Sequence, residues 1–349
     1  MKRNLQSLWL GIFHGLNDLS AAYWLGSYIS NTALDTAQLF VLYNVLAFGG
    51  QFVLAGFMQG TTIRSVSFRI IGLLLILSWF IGDTNPYLTV VLLGLISSAF
   101  HLLGGVYVLR LYSGSSAHVG LFSAPGVLGI AIGGICVTQS IGHLTMAFII
   151  AGIILGLIFL LRLPDLPAIW SKTQVSSKFH FDRHDWAMLL LLLTVVLRSG
   201  IWNIVFTSWH YFEANPVWMA VAACCGKGLG GLLGIWVQPK KLVQILTLNL
   251  LITFVSAILF NNYISLLIGI FCLQALIPLT WVILENTYLK NPLLSTSLSL
   301  GILLLFGGFT MFPPFSSWFS SIYGIIASIL MLITFYFFAF NISQKTVED

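Results

Sequence analysis

Charge is what this chain has least of: Asp, Glu, Lys and Arg make up 7% of its 349 residues, where soluble domains carry ~25%. With 58% hydrophobic residues and a mean hydropathy of +0.98, that scarcity excludes a soluble globular protein. A chain that crosses a lipid bilayer many times remains. Cysteine is sparse as well. Cys136, Cys224, Cys225 and Cys272 fall in apolar segments without paired ligand spacing, which excludes a disulfide framework and a cysteine-based zinc site. H-E-x-x-H, G-x-S-x-G and the phosphate-binding P-loop are missing, and no pair of acids marks a catalytic centre, so neither an enzyme nor a cofactor is expected. Long polar stretches are missing too: twelve helices of ~20 residues use about 240 residues, so the connections must be short.

The apolar runs predict helices near 7–29, 38–59, 66–82, 87–109, 119–138, 144–162, 186–210, 216–237, 242–260, 264–288, 295–313 and 319–340. The basic start followed by an apolar run resembles a signal peptide, but His14 to Asp18 interrupt the run and no A-x-A site follows. An uncleaved first helix is expected. Turn-like pieces such as Gly82-Asp83-Thr84-Asn85-Pro86, Asn261-Asn262 and Lys290-Asn291-Pro292 separate the runs. The connection 163–184 is long and polar, which divides the chain into a six-helix bundle at 1–162, a linker at 163–184 and a second bundle at 185–349. The halves echo each other. At an offset of 185, Gly15 meets Gly200, Asp18 meets Asn203 and Trp24 meets Trp209; at 178, Gly50 meets Gly228 and Gly56 meets Gly234.

A net charge of +5 invites a nucleic-acid reading, yet the placement of the charges speaks for membrane orientation instead. Threading the helices from a cytoplasmic N-terminus puts thirteen of the fifteen Lys and Arg residues on one side. Asp35, Asp83 and Glu213 fall on the other. The expectation is a monomer in the inner (plasma) membrane, with both termini cytoplasmic, the bilayer and a small solute as partners, and no nucleic acid.

The two remaining cations, Arg198 and Lys227, lie inside helices, as does Asp18, about 16 Å along the first helix from its edge near Ser7. Ionisable groups at such depth mark function. His14, Asn17 and Asp18 stand at i, i+3 and i+4, so one helix face carries all three into a shared interior. Asp18, with His14 one turn away, is the candidate for loading and releasing a proton in each transport cycle; the bland alternative is an ion pair that locks two helices. Arg198 cannot lose its charge and must face an anion, either Asp18 or a bound solute. Lys227 sits between Gly226 and Gly228, where a neighbouring helix or ligand can approach. His101, Trp202, Asn203, Gln274 and Trp281 complete the candidate solute site with Asn17. Pro278 should bend the tenth helix, and Glu285, shallower than Asp18, is the candidate for a gating salt bridge. In the central loop, His180-Phe181-Asp182-Arg183-His184-Asp185 has metal-ligand residue types at a spacing that matches no strong site motif, so a solvated linker is expected rather than a metal site.

Several local motifs then resemble one family. His14-x-x-Asn17-Asp18, Ala99-Phe100-His101, Gly120-Leu121-Phe122 through Gly133-Gly134, Leu197-Arg198-Ser199 and the run Gly226 to Gly234 appear in this order. They are similar to the first, fourth, fifth, seventh and eighth helices of the major facilitator superfamily, within it the fosmidomycin-resistance branch of bacterial exporters. Glu285 through Gly308 loosely follows that branch's tenth and eleventh helices. Leu102 stands where the branch has proline, and Gly60-Thr61-Thr62-Ile63-Arg64 stands where the superfamily has Asp-Arg-x-Gly-Arg. The resemblance implies an all-α membrane protein of twelve transmembrane helices in two six-helix bundles. It also implies a secondary active transporter that works by alternating access. Proton-coupled export of a small organic anion, driven by the proton gradient, is the expectation. Import of a metabolite or siderophore is the alternative, and a membrane-embedded enzyme or a receptor or scaffold on the same fold is the alternative outside transport.

Overall fold

Asparagine sets where many of the helices begin. Asn85, Asn215, Asn262 and Asn291 each accept a backbone N–H of the following turn, and three of them precede a proline at the first helical position, where its missing N–H costs nothing. The computed structural model that shows this describes residues 2–31, 36–160, 163–168, 182–207, 215–312, 315–319 and 321–345. The helices are α1 (Lys2–Asn31), α2 (36–58), α3 (Val66–Ile81), α4 (Pro86–Leu111), α5 (Ser116–Thr138), α6 (His143–Leu160), α7 (Arg183–Thr207), α8 (Pro216–Trp236), α9 (Pro239–Phe260), α10 (Tyr263–Leu289), α11 (Pro292–Met311) and α12 (Ile322–Lys345). Among the described residues these twelve helices make an all-α bundle. The pair Asn261-Asn262 does two jobs: the first residue ends α9 in the left-handed conformation and the second caps α10.

Among the described residues, nine helices are long and apolar enough to cross a membrane, and α3 and α6 are shorter apolar helices. The remaining one, α1, is 30 residues long and carries the buried polar groups Ser7, His14, Asn17 and Ser20. Its hydropathy is diluted by the face it turns inward. Where a single last helix was expected at 319–340, a short helix Phe315–Phe319 precedes α12. Trp209, Asp35, Glu213, Lys172, Lys178, His180 and Phe181 lie outside the described residues.

The apolar side chains form two cores. One gathers α1 to α6 and is joined by Trp281, Val282, Leu293 and Leu300 from the second half; the other gathers α7 to α12 and is joined by Val127. Close crossings of small residues build each half. In the first, α1 lies on α5, where a Cβ on Gly15 would come 3.0 Å from Pro125 O and one on Gly133 would come 2.5 Å from Leu19 O. In the second, α7 lies on α11, where a Cβ on Gly200 would come 2.8 Å from Thr310 Cγ2. Helices one and five thus pair as helices seven and eleven do, the relation that a six-plus-six repeat requires.

The halves meet at the end of the bundle where the basic connections lie. Ser116 Oγ donates to Gly231 O at 2.8 Å, and a Cβ on Gly120 would come 2.6 Å from Lys227 O. Gln51 Nε2 donates to Leu300 O at 2.9 Å. Gly114, at φ +67°, lies against the side-chain amide of Asn286. Three π-helical segments occur here or beside it, at Val45–Gly49 in α2, Leu284–Leu289 in α10 and Ser297–Ile302 in α11. Gly301 leaves helical geometry altogether (φ −114°, ψ −112°), and a Cβ there would come 2.8 Å from Phe48 O. At the same end the segment after α6 folds back onto the turn after α2. Ile63 and Leu166 exchange backbone hydrogen bonds of 3.1 and 2.9 Å, and Ser65 N donates to Asp165 Oδ1 at 2.7 Å.

Candidate functional site

Pro125 is the starting point of the site. Lacking an N–H, it leaves the carbonyl of Leu121 without its helical partner, and the backbone of α1 at Gly11 packs on that oxygen. One residue further along α5, Phe122 O accepts a hydrogen bond from His14 Nδ1 at 2.9 Å. The small-residue face of α5 thereby draws the polar face of α1 to a fixed depth and height. From α4 comes His101, whose Nδ1 lies 2.8 Å from Ser97 O and whose Nε2 lies 2.8 Å from His14 Nε2. The two rings meet edge to face, with centroids 4.5 Å apart and planes at 89°.

Asp18 closes the group. Its carboxylate oxygens lie 3.2 Å from His14 Nε2 and 3.4 Å from His101 Nε2. Asn17 Nδ2 donates to Asp18 Oδ1 at 3.0 Å and to Ser97 Oγ at 3.1 Å, and the Tyr43 hydroxyl donates to Ser97 Oγ at 3.2 Å. His14, Asn17 and His101 are buried, while the Asp18 side chain keeps 13% of its surface. Gly126 faces the cluster. A Cβ there would stand 2.6 Å from His14 Nε2 and 2.7 Å from Asp18 Oδ2, so its absence is what leaves room beside those atoms.

Each Nδ1 faces a backbone carbonyl, and that of His101 also lies 3.1 Å from Ser97 Oγ. The two Nε2 atoms face each other at 2.8 Å with the carboxylate beside them. Two lone pairs would repel at that spacing, so the three groups together form a place where a proton can be held.

The second half supplies the cations. Arg198 on α7 is 4% exposed, its Nε has no hydrogen-bond partner, and it forms no ion pair with a described residue. Of the two anions open to it in the sequence, Asp18 is therefore not a direct partner: the ring nitrogens of His14 and His101 hold that carboxylate. Lys227 on α8 donates to Ser123 O on α5 across 3.4 Å and lies within electrostatic reach of both Asp18 and Arg198. Asn203 turns to α11, where its Nδ2 donates to Gly307 O at 3.4 Å, and Trp202 lies tilted against Phe206 with centroids 5.4 Å apart. Gln274 is buried, and its Cβ would lie 3.1 Å from a Cβ on Gly226.

Two expected site residues lie in the contact between the halves. Trp281 is 1% exposed, its indole donates to Ser295 Oγ at 3.1 Å, and a Cβ on Gly105 of α4 would come 2.9 Å from its ring. Glu285 sits in the π segment that ends α10, with Oε2 buried and unpartnered. It forms no ion pair with a described residue, so the expected gating salt bridge is not made in this arrangement. Pro278 is buried in the middle of α10. In the central connection, Asp182, His184 and Asp185 come close enough to share an ion, but Asp182 and Asp185 cap the start of α7 by accepting each other's backbone N–H at 2.8 and 3.2 Å. Ser97 and Tyr43 carry no mark in the sequence that points to the site. Gly126 does: with Pro125, Gly129, Gly133 and Gly134 it forms the kinked small-residue face of α5.

Neither a family model nor a curated protein matches the chain. Solved structures do. A major facilitator superfamily transporter, FucP, in the outward conformation, is similar with a TM-score of 0.71 and 14% identity, covering 98% of this chain and 97% of that one. The human organic anion transporter MFSD10 (TETRAN) is similar at 0.68 and 15% identity, over 98% and 99% of the two chains. A bacterial homologue of the iron transporter ferroportin, in an outward-facing state, is similar at 0.64 and 12% identity, over 97% and 100%. The likeness is one of fold, over the whole chain.

Proposed function

We propose that this chain, built on the major facilitator fold, is a secondary active transporter that moves a small organic anion across the membrane by alternating access. Export coupled to protons is the favoured direction. The observation that carries the reading is the division of charge inside the bundle: His14, Asp18 and His101 in the first half, and two cations that form no ion pair with a described residue, Arg198 (buried) and Lys227 (half-buried), in the second. In this reading a solute anion pairs with Arg198, and the group His14, His101 and Asp18 takes up and releases the coupled proton. Rocking of the halves about the contact at Gly120, Gly231 and Gln51 then exposes both to one side or the other. The placement of Lys and Arg supports a plasma-membrane location with both termini cytoplasmic. Similarity to the fosmidomycin-resistance exporters supports the direction, and the buried guanidinium of Arg198 supports the charge of the solute.

Reconstituted vesicles test it. Asp18→Asn keeps the size and loses titration, so accumulation driven by a pH gradient should vanish while solute exchange persists. Accumulation equal to that of the unaltered protein, at equal protein level, refutes the coupling.

A further inference from the structure

His14, His101 and Asp18 converge as ligand atoms do. We propose that these three residues form a binding site for a divalent transition metal of the zinc class, held inside the first bundle. Tetrahedral coordination at ~2.0–2.1 Å places ligand atoms about 3.3 Å apart. His14 Nε2 lies 3.2 Å from Asp18 Oδ2 and His101 Nε2 lies 3.4 Å from Asp18 Oδ1, so the carboxylate meets each ring with a different oxygen and can face the ion with either or both; the histidine pair, at 2.8 Å, needs to open by about 0.5 Å. Donor chemistry fits: two neutral imidazoles and one carboxylate suit zinc and its neighbours rather than magnesium or calcium, which take oxygen shells.

The surroundings are those of a ligand set. Both histidines donate their far nitrogen to a backbone carbonyl, Phe122 O and Ser97 O, which turns each Nε2 lone pair inward and fixes the ring, as metal-bound histidines require. Asn17 holds the carboxylate at Oδ1. Gly126 leaves space beside His14 Nε2 and Asp18 Oδ2, and the exposed part of Asp18 gives an ion its way in. The cluster on the linker, Asp182, His184 and Asp185, differs on each count: its members are partly or fully exposed, and its aspartates are engaged as helix caps. The inference does not depend on which solute is carried.

The full-length protein in detergent, stripped with chelator, is titrated with Zn2+ alone, and X-ray absorption of the loaded protein counts the imidazoles on the ion. One ion per chain with two imidazoles is expected. Asp18→Asn and His101→Ala should each weaken binding at least tenfold, whereas the combined Asp182→Asn, His184→Ala and Asp185→Asn variant should leave it unchanged. If a triad variant fails to fold, the imidazole count of the unaltered protein decides. No saturable binding, a site without two imidazoles, or binding lost only in the linker variant overturns the proposal. Proton coupling is read separately, as pH-driven accumulation in metal-free buffer. Coupling without zinc binding defeats this inference alone, and zinc binding without coupling defeats the earlier reading alone.

Discussion

Gly126→Ala is the sharpest single test of the geometry at the centre of the first bundle. The added Cβ would stand 2.6 Å from His14 Nε2 and 2.7 Å from Asp18 Oδ2, where an ordinary contact is ~3.5–4.0 Å. Both neighbours must retreat by about 1 Å. His14 cannot do so without straining its bond to Phe122 O, nor Asp18 without straining its bond from Asn17. Overpacking of this kind costs ~1–3 kcal/mol, and a weakened hydrogen bond to a charged group adds up to ~1.5–3 kcal/mol. A net loss of about 2–4 kcal/mol follows, read from unfolding in mixed micelles, together with failure of pH-driven accumulation in vesicles. Gly134→Ala on the same helix is the control. Nothing lies within 4 Å of its Cβ position, so it should be neutral or gain up to ~1 kcal/mol of helix propensity. A Gly126→Ala protein as stable and as well coupled as the unaltered one would refute the account of the cluster.

Arg198→Gln should weaken anion binding by more than ~1.5 kcal/mol, and Arg198→Lys should restore it in part because the planar fork is lost; an affinity unmoved by Arg198→Gln and Lys227→Gln together defeats the anionic solute. Gln51→Ala removes the bond to Leu300 O between the halves, worth ~1 kcal/mol, so the closed arrangement at that end should lose about fivefold in population, read as faster labelling of a cysteine placed at Ser116. Cysteines introduced near Asp83 and in the 171–178 connection should label from opposite faces of the membrane, and labelling from the same face sinks the topology. At the surface, the Ser65 amide holds the Asp165 carboxyl below its ordinary pKa of 3.8. That hold is fully present above about pH 4 and is lost as pH falls through the lowered value, so exchange of the Ser65 amide hydrogen should quicken there, and Asp165→Ala should abolish the pH step.

The sequence displayed the helices well because apolar length and asparagine-proline punctuation are local properties. Asn85-Pro86 and Asn291-Pro292 begin helices for reasons contained in a few adjacent residues. The polar face His14, Asn17, Asp18 was legible for the same reason. What joined it was not: His101 lies 87 residues from His14, and its apposition depends on how α4 and α5 cross α1. Depth alone suggested that Arg198 meets an anion, but could not say that two histidines hold Asp18. Trp281 looked like a solute contact because tryptophans line cavities as readily as they fill contacts, and only the bare backbone at Gly105 shows which it does. The π turns were beyond reach because no residue in them marks the change of turn, and Val45–Gly49 and Ser297–Ile302 meet only once the halves are packed together.

Those π turns carry a consequence for lineage. Each accommodates extra residues in a turn that an α-helix closes with ~3.6. Deleting one residue from 45–49 or 297–302 would let the segment close as α-helix with the helix beyond it still in register, because the wide turn is what absorbs the extra residue; the same deletion from a regular stretch would rotate everything beyond it by about 100°. Alignments with distant chains of the same architecture should therefore place single-residue gaps within these two stretches. Homologues that lack the extra residue should differ in the partner facing Gly301, since a straight helix there has no reason to keep a glycine against Phe48.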